Sequence, residues 1–181
     1  MRTTIAAVAL TAAALPTVLA GSASAEQFGI DDPQETSHGS DLLALQVRNG
    51  GENVDVTTVH ADLRRSPRTG SAGTIYVDTD RDDRGPEYVF VGGFYEGTDY
   101  RLLETEGFAR STWGDSIEHG DYIMRANYGK GRVRIRMSRA ALGNPDDVRV
   151  AVRISGTRKD GSSVVDWAGK PHSFTPWIER G

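Results

Sequence analysis

The chain has 181 residues, of which 21 are lysine or arginine and 25 are aspartate or glutamate, and it contains no cysteine. This length is typical of one domain, and the lack of cysteine excludes disulfides and any lipid attached to cysteine. Because the net charge is negative, a general nucleic-acid-binding protein is disfavoured and we expect no nucleic-acid partner.

The N-terminal segment has the pattern of a secretory signal peptide. Arg2 precedes an apolar run over residues 5–20, and small residues follow up to Ala25. This order predicts a signal peptide over residues 1–25, cleaved after Ala25. The alternative is a membrane anchor, which Pro16 and the shortness of the run disfavour. We therefore expect a soluble, extracellular, monomeric protein without membrane contact.

The remaining chain divides into a lead-in and a domain. Residues 26–40 have little apolar content, which predicts a flexible segment. Residues 41–181 contain short apolar–polar alternations separated by turns. Asn49-Gly50 between two such runs is a strong hairpin signal, and the return strand is predicted over residues 54–63.

Further strands are predicted along the rest of the chain. Residues 88–91 are apolar on both faces, which indicates an interior strand. Residues 121–128 and 132–137 form a second predicted hairpin, whereas residues 107–120 are predicted to be a loop with an irregular strand. One short helical turn is expected over residues 138–143, between Ser138 as N-cap and Gly143 as left-handed terminator.

The spacing of these elements predicts an all-β fold. Two later strands are expected over residues 148–154 and 164–167. About nine short strands without an amphipathic helix are typical of an antiparallel β-sandwich of jelly-roll type. Residues 41–181 are assigned to this domain.

Four segments carry a resemblance to known proteins. They are GTIYVDTDRDDRGPEYVFVGGFYEGTDY, VRIRMSRAALG, VRVAVRI and DWAGKPHSFTPWIERG. Over residues 41–181 the chain resembles a family of small exported actinobacterial proteins without established function. More distantly it is similar to the DOMON and family 9 carbohydrate-binding sandwiches, a resemblance that implies sugar or haem sites and sometimes structural calcium. A shared sandwich does not imply a shared ligand.

An acidic loop lies between two predicted strands. Its carboxylates are Asp78, Asp80, Asp82, Asp83 and Glu87. The alternation of the first three is typical of loops that direct oxygens at calcium, so we predict a weak structural Ca²⁺ site. The EF-hand pattern is not met, because Asp83 replaces its glycine and Val89 its bidentate glutamate. The alternative is a solvated turn, partly neutralised by Arg81 and Arg84.

Arginines alternate with apolar residues on two predicted strands. They are Arg132, Arg134, Arg136, Arg149 and Arg153. Because side chains alternate with period two, each strand directs its arginines to one face. If the strands were close in one sheet, five guanidinium groups would share a face and could bind the phosphate or carboxylate groups of a wall polymer. A solvated face paired with acidic neighbours is the alternative.

Aromatic residues provide the remaining candidate site. Those considered are Trp113, Trp167, Tyr95 and Tyr100, together with Trp177. They could form a platform on which sugar rings stack, although such residues more often pack in the core or at a sheet edge.

The sequence contains no recognisable catalytic motif. There is no Gly-x-Ser-x-Gly elbow, no HExxH and no phosphate loop. We therefore expect a secreted, non-catalytic binding module whose partner is a carbohydrate or a cell-wall polymer. The alternatives are a secreted hydrolase that uses the acidic loop and a structural envelope protein without a small ligand.

Overall fold

The structure is a computed structural model that describes residues 26–181. The predicted signal peptide, residues 1–25, lies outside the described residues. Twelve strands and four short 3₁₀ turns make up the described chain. The strands are β1 (Glu26–Asp31), β2 (Leu42–Asn49), β3 (Asn53–His60), β4 (Ser71–Asp78), β5 (Tyr88–Gly93), β6 (Tyr100–Thr105), β7 (Trp113–Ser116), β8 (Tyr122–Asn127), β9 (Arg132–Ser138), β10 (Asp147–Thr157), β11 (Ser163–Trp167) and β12 (Ile178–Glu179). The turns are η1 (Pro67–Thr69), η2 (Arg110–Thr112), η3 (Tyr128–Lys130) and η4 (Ala140–Leu142).

The strands form two antiparallel sheets. The five-stranded sheet has the order β1-β2-β3-β9-β8, and the seven-stranded sheet has the order β11-β10-β4-β5-β6-β7, with β12 pairing to β10. The two sheets pack face to face as a sandwich, so the predicted all-β class is confirmed. Both predicted hairpins are present as β2–β3 and β8–β9, and β5 is an interior strand between β4 and β6. The strand count is higher than predicted because β1 and β12 were not anticipated, whereas β7 corresponds to the irregular strand expected within residues 107–120.

The N-terminal segment differs from its prediction. Residues 26–40 were expected to be flexible, yet Glu26–Asp31 pairs with β2 over six positions, from Glu26 opposite Asn49 to Asp31 opposite Ala44. Most of its side chains are exposed. The strand is therefore held by backbone hydrogen bonds to the β2 edge and by the packing of Phe28 against the main core.

The main core lies between the sheets and follows the alternation of the strands. Val47, Val56 and Ile135 from the five-stranded sheet and Ile75 and Phe90 from the other are at most 1% exposed. Burying a side chain of this size contributes roughly 1.5 to 3 kcal/mol. Because the opposite positions on β9 are exposed, that sheet is apolar on its inner face only.

The helical turn after β9 is present as predicted, although its N-cap position is occupied by Arg139 rather than Ser138. The Ser138 hydroxyl accepts a hydrogen bond from the backbone N–H of Ala141 at 3.2 Å, and η4 spans Ala140–Leu142. Gly143 follows with φ 74°, a left-handed conformation that favours glycine. This turn connects β9 of one sheet to β10 of the other.

A second, smaller core covers the outer face of the seven-stranded sheet. Tyr76, Val89 and Ala151 are buried there, although they point away from the main core. Phe108 and Phe174, from the loops after β6 and β11, pack against them. These two loops leave part of the sheet uncovered, and that part carries the candidate site. No helix among residues 26–181 has the length and apolarity needed to cross a membrane.

Candidate functional site

A groove of about 570 Å³ lies on the outer face of the seven-stranded sheet. Aromatic side chains and cationic side chains line it together with small residues of β4 and β5. The aromatic and charged members are Tyr76, Phe108, Arg110, Trp113, Arg153, Trp167 and His172. We call it the aromatic groove. Its volume lies within the range of about 300–1,000 Å³ that is typical of small-molecule sites.

The aromatic rings of the groove support one another. The rings of Trp167 and Tyr76 are parallel to within 10°, with centroids 6.3 Å apart. Phe108 approaches Trp167 at 6.3 Å with an interplanar angle of 64°. His172 contacts both Trp167 and Phe108, at 4.8 and 4.9 Å. Such packing restricts the orientations that the rings of the groove can adopt.

Sheet register and one hydrogen bond hold these residues in place. Trp167 lies opposite Arg153 in the β10–β11 ladder, so both side chains project from the same face. The hydroxyl of Tyr76 donates to the carbonyl oxygen of Phe108 at 2.8 Å and anchors the loop after β6. Burial raises the pKa of Tyr76, with Arg153 opposing the shift, so the phenol stays protonated and able to donate.

Polar groups lie beside the rings. The guanidinium of Arg110 lies over the Trp113 ring at 5.8 Å. The indole Nε1 of Trp113 is buried without a hydrogen-bond partner among the described residues. His172 lies in an exposed loop and has φ 59°, an uncommon conformation for a non-glycine residue. In this conformation its imidazole ring lies against the groove. The groove therefore combines apolar faces with hydrogen-bond donors.

The predicted aromatic platform is only partly assembled. Trp113 and Trp167 line the same groove, as the prediction required. Tyr95 and Tyr100 line a different groove, of about 500 Å³. Tyr100 also packs against Phe90, with ring centroids 5.6 Å apart, so it belongs in part to the main core. A single platform of all these residues is wrong, because they lie in two separate depressions.

The five arginines singled out in the sequence are divided between the two sheets. Arg132, Arg134 and Arg136 are exposed on the outer face of β9, in the five-stranded sheet. Arg149 and Arg153 lie on β10, in the seven-stranded sheet. The condition for five guanidinium groups on one face, that both strands lie in one sheet, is therefore not met, because alternation determines the face of a strand but not the sheet that contains it.

The remaining tryptophan, Trp177, packs against arginines. The guanidinium of Arg149 lies 4.6 Å from the ring centroids of both Trp177 and Phe174. Arg81 lies over the same Trp177 ring at 4.9 Å. These cation–π contacts attach the C-terminal segment to the outer face of the seven-stranded sheet. Trp177 does not line the aromatic groove.

The acidic loop is tied mainly to the protein itself. Asp78 is fully buried against Arg149, and Glu87 accepts hydrogen bonds from the backbone and hydroxyl of Thr79 at 2.6 and 3.0 Å. Asp80 and Asp83 accept backbone hydrogen bonds from Asp82 and Arg84. Burial raises the pKa of Asp78 and that of Glu87, against the hydrogen bonds that lower them. Among residues 26–181, no three acidic or histidine side chains are grouped as metal ligands.

Sequence reasoning missed several residues of the groove. Tyr76 lies on the same face of β4 as Thr74 and Asp78 and alternates with the core residues Ile75 and Val77, so its face could have been inferred from period two. Phe108, Arg110 and His172 lie outside any regular strand pattern, and only the folded loops bring them to the groove. A comparison of the chain with models of protein families finds no match, and neither does a comparison with curated proteins.

Proposed function

We propose that the protein is an exported, non-catalytic module that binds a saccharide in the aromatic groove. The observation that carries the proposal is that Trp113 and Trp167, 54 residues apart, line one groove on a single face of the sandwich. Each indole presents a flat apolar surface with a polar edge. A sugar ring has the complementary chemistry, since its C–H groups form apolar faces and its hydroxyls lie at the rim.

The polar groups of the groove support a saccharide over a purely apolar ligand. Arg153 and His172 can donate to hydroxyl oxygens, and Arg110 adds a guanidinium group beside Trp113. Thr74 and Ser155 add hydroxyl groups beside β10. A few polar groups in an otherwise apolar concave surface fix the orientation of a ligand and select it.

The composition of the groove supports binding over glycoside hydrolysis. Most glycosidases place two carboxylates on either side of the scissile bond. No aspartate or glutamate is among the described residues that line the aromatic groove. In the acidic loop, Asp78 is fully buried against Arg149, and Glu87 lines a separate depression. A sugar in the groove would therefore meet donors and rings rather than a general acid.

A panel of polysaccharides tests the proposal. We expect at least one neutral glycan to bind saturably in titration calorimetry, without release of reducing ends. Trp113→Ala should abolish this binding, whereas Tyr95→Ala, in the second groove, should leave it unchanged. If no glycan binds, or if the Tyr95 variant is the one that loses binding, the proposal is wrong.

A further inference from the structure

The outer face of the five-stranded sheet carries a concentration of arginines. In addition to the three arginines of β9, Arg48 on β2 and Arg125 on β8 are exposed on this face. The register aligns Arg136 with Asp55 and Asp55 with Arg48 in one row, and Arg125 with Arg134 in the next. Neighbouring strands lie about 4.8 Å apart and same-face residues about 7 Å apart along a strand. We call the surface formed by these five residues the arginine face; they are Arg48, Arg125, Arg132, Arg134 and Arg136.

Few negative charges neutralise this face. Asp55 forms ion pairs with Arg134 and Arg136, and Asp31 lies on the edge strand β1. Among residues 26–181, Arg48, Arg125 and Arg132 form no ion pair. The chain as a whole has more acidic than basic residues, so the positive face is a local feature rather than a consequence of overall charge.

Two arginines face each other directly across strands. Arg125 lies opposite Arg134 in the β8–β9 ladder. Like charges in directly opposite positions destabilise a sheet. Arg134 is already paired with Asp55, so Arg125 is the member of this pair whose charge is available to an external anion.

Asp55 shows how this face holds a carboxylate. Its Oδ1 atom accepts hydrogen bonds from the Nε atoms of Arg134 and Arg136, at 3.1 and 3.0 Å. One carboxylate is thus already held between two guanidinium groups of the face. External carboxylates can be bound in the same way by Arg48, Arg125 and Arg132, whose donors are free of ion pairs.

We infer that the arginine face binds a linear carboxylated polysaccharide, at a second site separate from the aromatic groove. An extended polymer with regularly repeated carboxylates can follow the rows of arginines. The depression on this face is small, about 280 Å³, and its lining contains no aromatic residue. Stacking of nucleobases therefore has no platform there, which favours an acidic glycan over a single-stranded nucleic acid.

Binding of polygalacturonate, a linear polyuronate, tests this inference at about 0.1 M ionic strength. The full mature chain should bind it. The triple change Arg48→Gln, Arg125→Gln and Arg132→Gln should weaken binding at least about tenfold. The matched control changes Arg68, Arg84 and Arg101 to Gln. These exposed arginines lie elsewhere and also form no ion pair among the described residues, so the net charge changes equally and binding should stay within about twofold.

Two further measurements complete the test. A triple Arg→Lys change at positions 48, 125 and 132 keeps the charge but removes bidentate geometry, so it should bind better than the Gln variant and less tightly than wild type. Equal losses in the Gln triple and its control would overturn the inference, as would tighter binding of inorganic polyphosphate or single-stranded DNA than of polygalacturonate. Because these variants leave the aromatic groove intact, a failure here is distinguishable from a failure of neutral-glycan binding.

Discussion

The carboxylate of Asp78 accepts hydrogen bonds from Arg149, whose Nε and Nη2 atoms lie 2.7 and 2.6 Å from Oδ2. Asp78 is fully buried, whereas the Arg149 side chain is 28% exposed and stacks on Phe174 and Trp177. This pair connects β4 and β10 to the C-terminal segment that partly covers the seven-stranded sheet. It also removes Asp78, the first residue of the predicted calcium pattern, from the set of free carboxylates.

Asp78→Asn should destabilise the protein by about 2 to 4 kcal/mol, because it leaves the Arg149 guanidinium without its counter-charge. The partial exposure of Arg149 keeps the expected cost below that of a fully buried charge. Urea unfolding followed by circular dichroism measures the change. Asp82→Asn is the matched control on the exposed part of the same loop, and it should change the free energy of unfolding by no more than about 0.5 kcal/mol. Equal effects of the two substitutions would show that the pair does not stabilise the fold.

The calcium hypothesis for the acidic loop makes a separate prediction. A weak site would add about 1.4 kcal/mol of stability at a calcium concentration of about ten times the dissociation constant. Coordination by Asp78 would require the carboxylate to leave Arg149, so Asp80, Asp82 and Asp83 are the residues best able to respond. Thermal melts in calcium, magnesium and chelator measure this effect. A shift specific to calcium and lost in Asp80→Asn, Asp82→Asn would support the site, whereas identical midpoints would leave the loop a solvated turn.

The free energy of unfolding should decrease as the pH is lowered below about 6.5, because of His60. This residue is 3% exposed and bonds the Thr58 hydroxyl through Nε2 at 2.8 Å, and burial lowers its pKa from 6.5 to about 4. Between these values the unfolded chain binds a proton that the folded chain does not. The stability present above pH 6.5 is therefore lost progressively down to pH about 4, by up to about 3 kcal/mol. Urea unfolding across this range should show a smaller loss in His60→Gln, and an unchanged pH dependence would contradict this assignment.

Asn49 connects the first hairpin to a buried arginine. Its Oδ1 accepts a hydrogen bond from Arg139 Nη1 at 2.8 Å, and its Nδ2 donates to the carbonyl oxygens of Asp146 and Ile178 at 3.1 and 2.9 Å. Asn49→Ala leaves these buried groups unpaired and should lower the free energy of unfolding by about 3 kcal/mol. Gln46→Ala, at an exposed position of the same strand, should change it by less than about 0.5 kcal/mol. Similar midpoints in chemical unfolding would show that the network is dispensable.

The local sequence pattern predicted the hairpins and the helical turn, because the residues that determine each of them lie within a few positions of one another. Gly143, whose φ of 74° ends the helical turn, is an example. The edge strand β1 escaped prediction because backbone pairing with β2 and one core contact, from Phe28, hold it, and neither produces a periodic apolar pattern. The sheet that contains Arg149 could not be predicted either, because pairing partners such as Arg149 and Asp78 are separated by 71 residues.

The candidate site was predictable only by residue type. Trp113 and Trp167 were singled out as aromatic, but their common groove depends on the loop that carries Phe108 and on the pairing of β11 with β10. Tyr95 and Tyr100 have the same chemistry and lie in another depression. Sequence pattern reports which side chains can stack on a sugar, whereas long-range topology decides which of them share a surface.

The central claim is that the aromatic groove binds a saccharide, and tryptophan fluorescence tests it most directly. The chain contains three tryptophans, two of which line the groove, so an occupied groove should change the emission in a saturable way. Titration with the neutral glycans of the panel should shift the emission of wild type and of Trp177→Phe, but not that of Trp113→Ala. Arg110→Gln, at an exposed position beside Trp113, should weaken the binding of the glycan without lowering the melting temperature of the protein. An emission change that persists in a folded Trp113→Ala variant, or its absence with every glycan, would contradict the account.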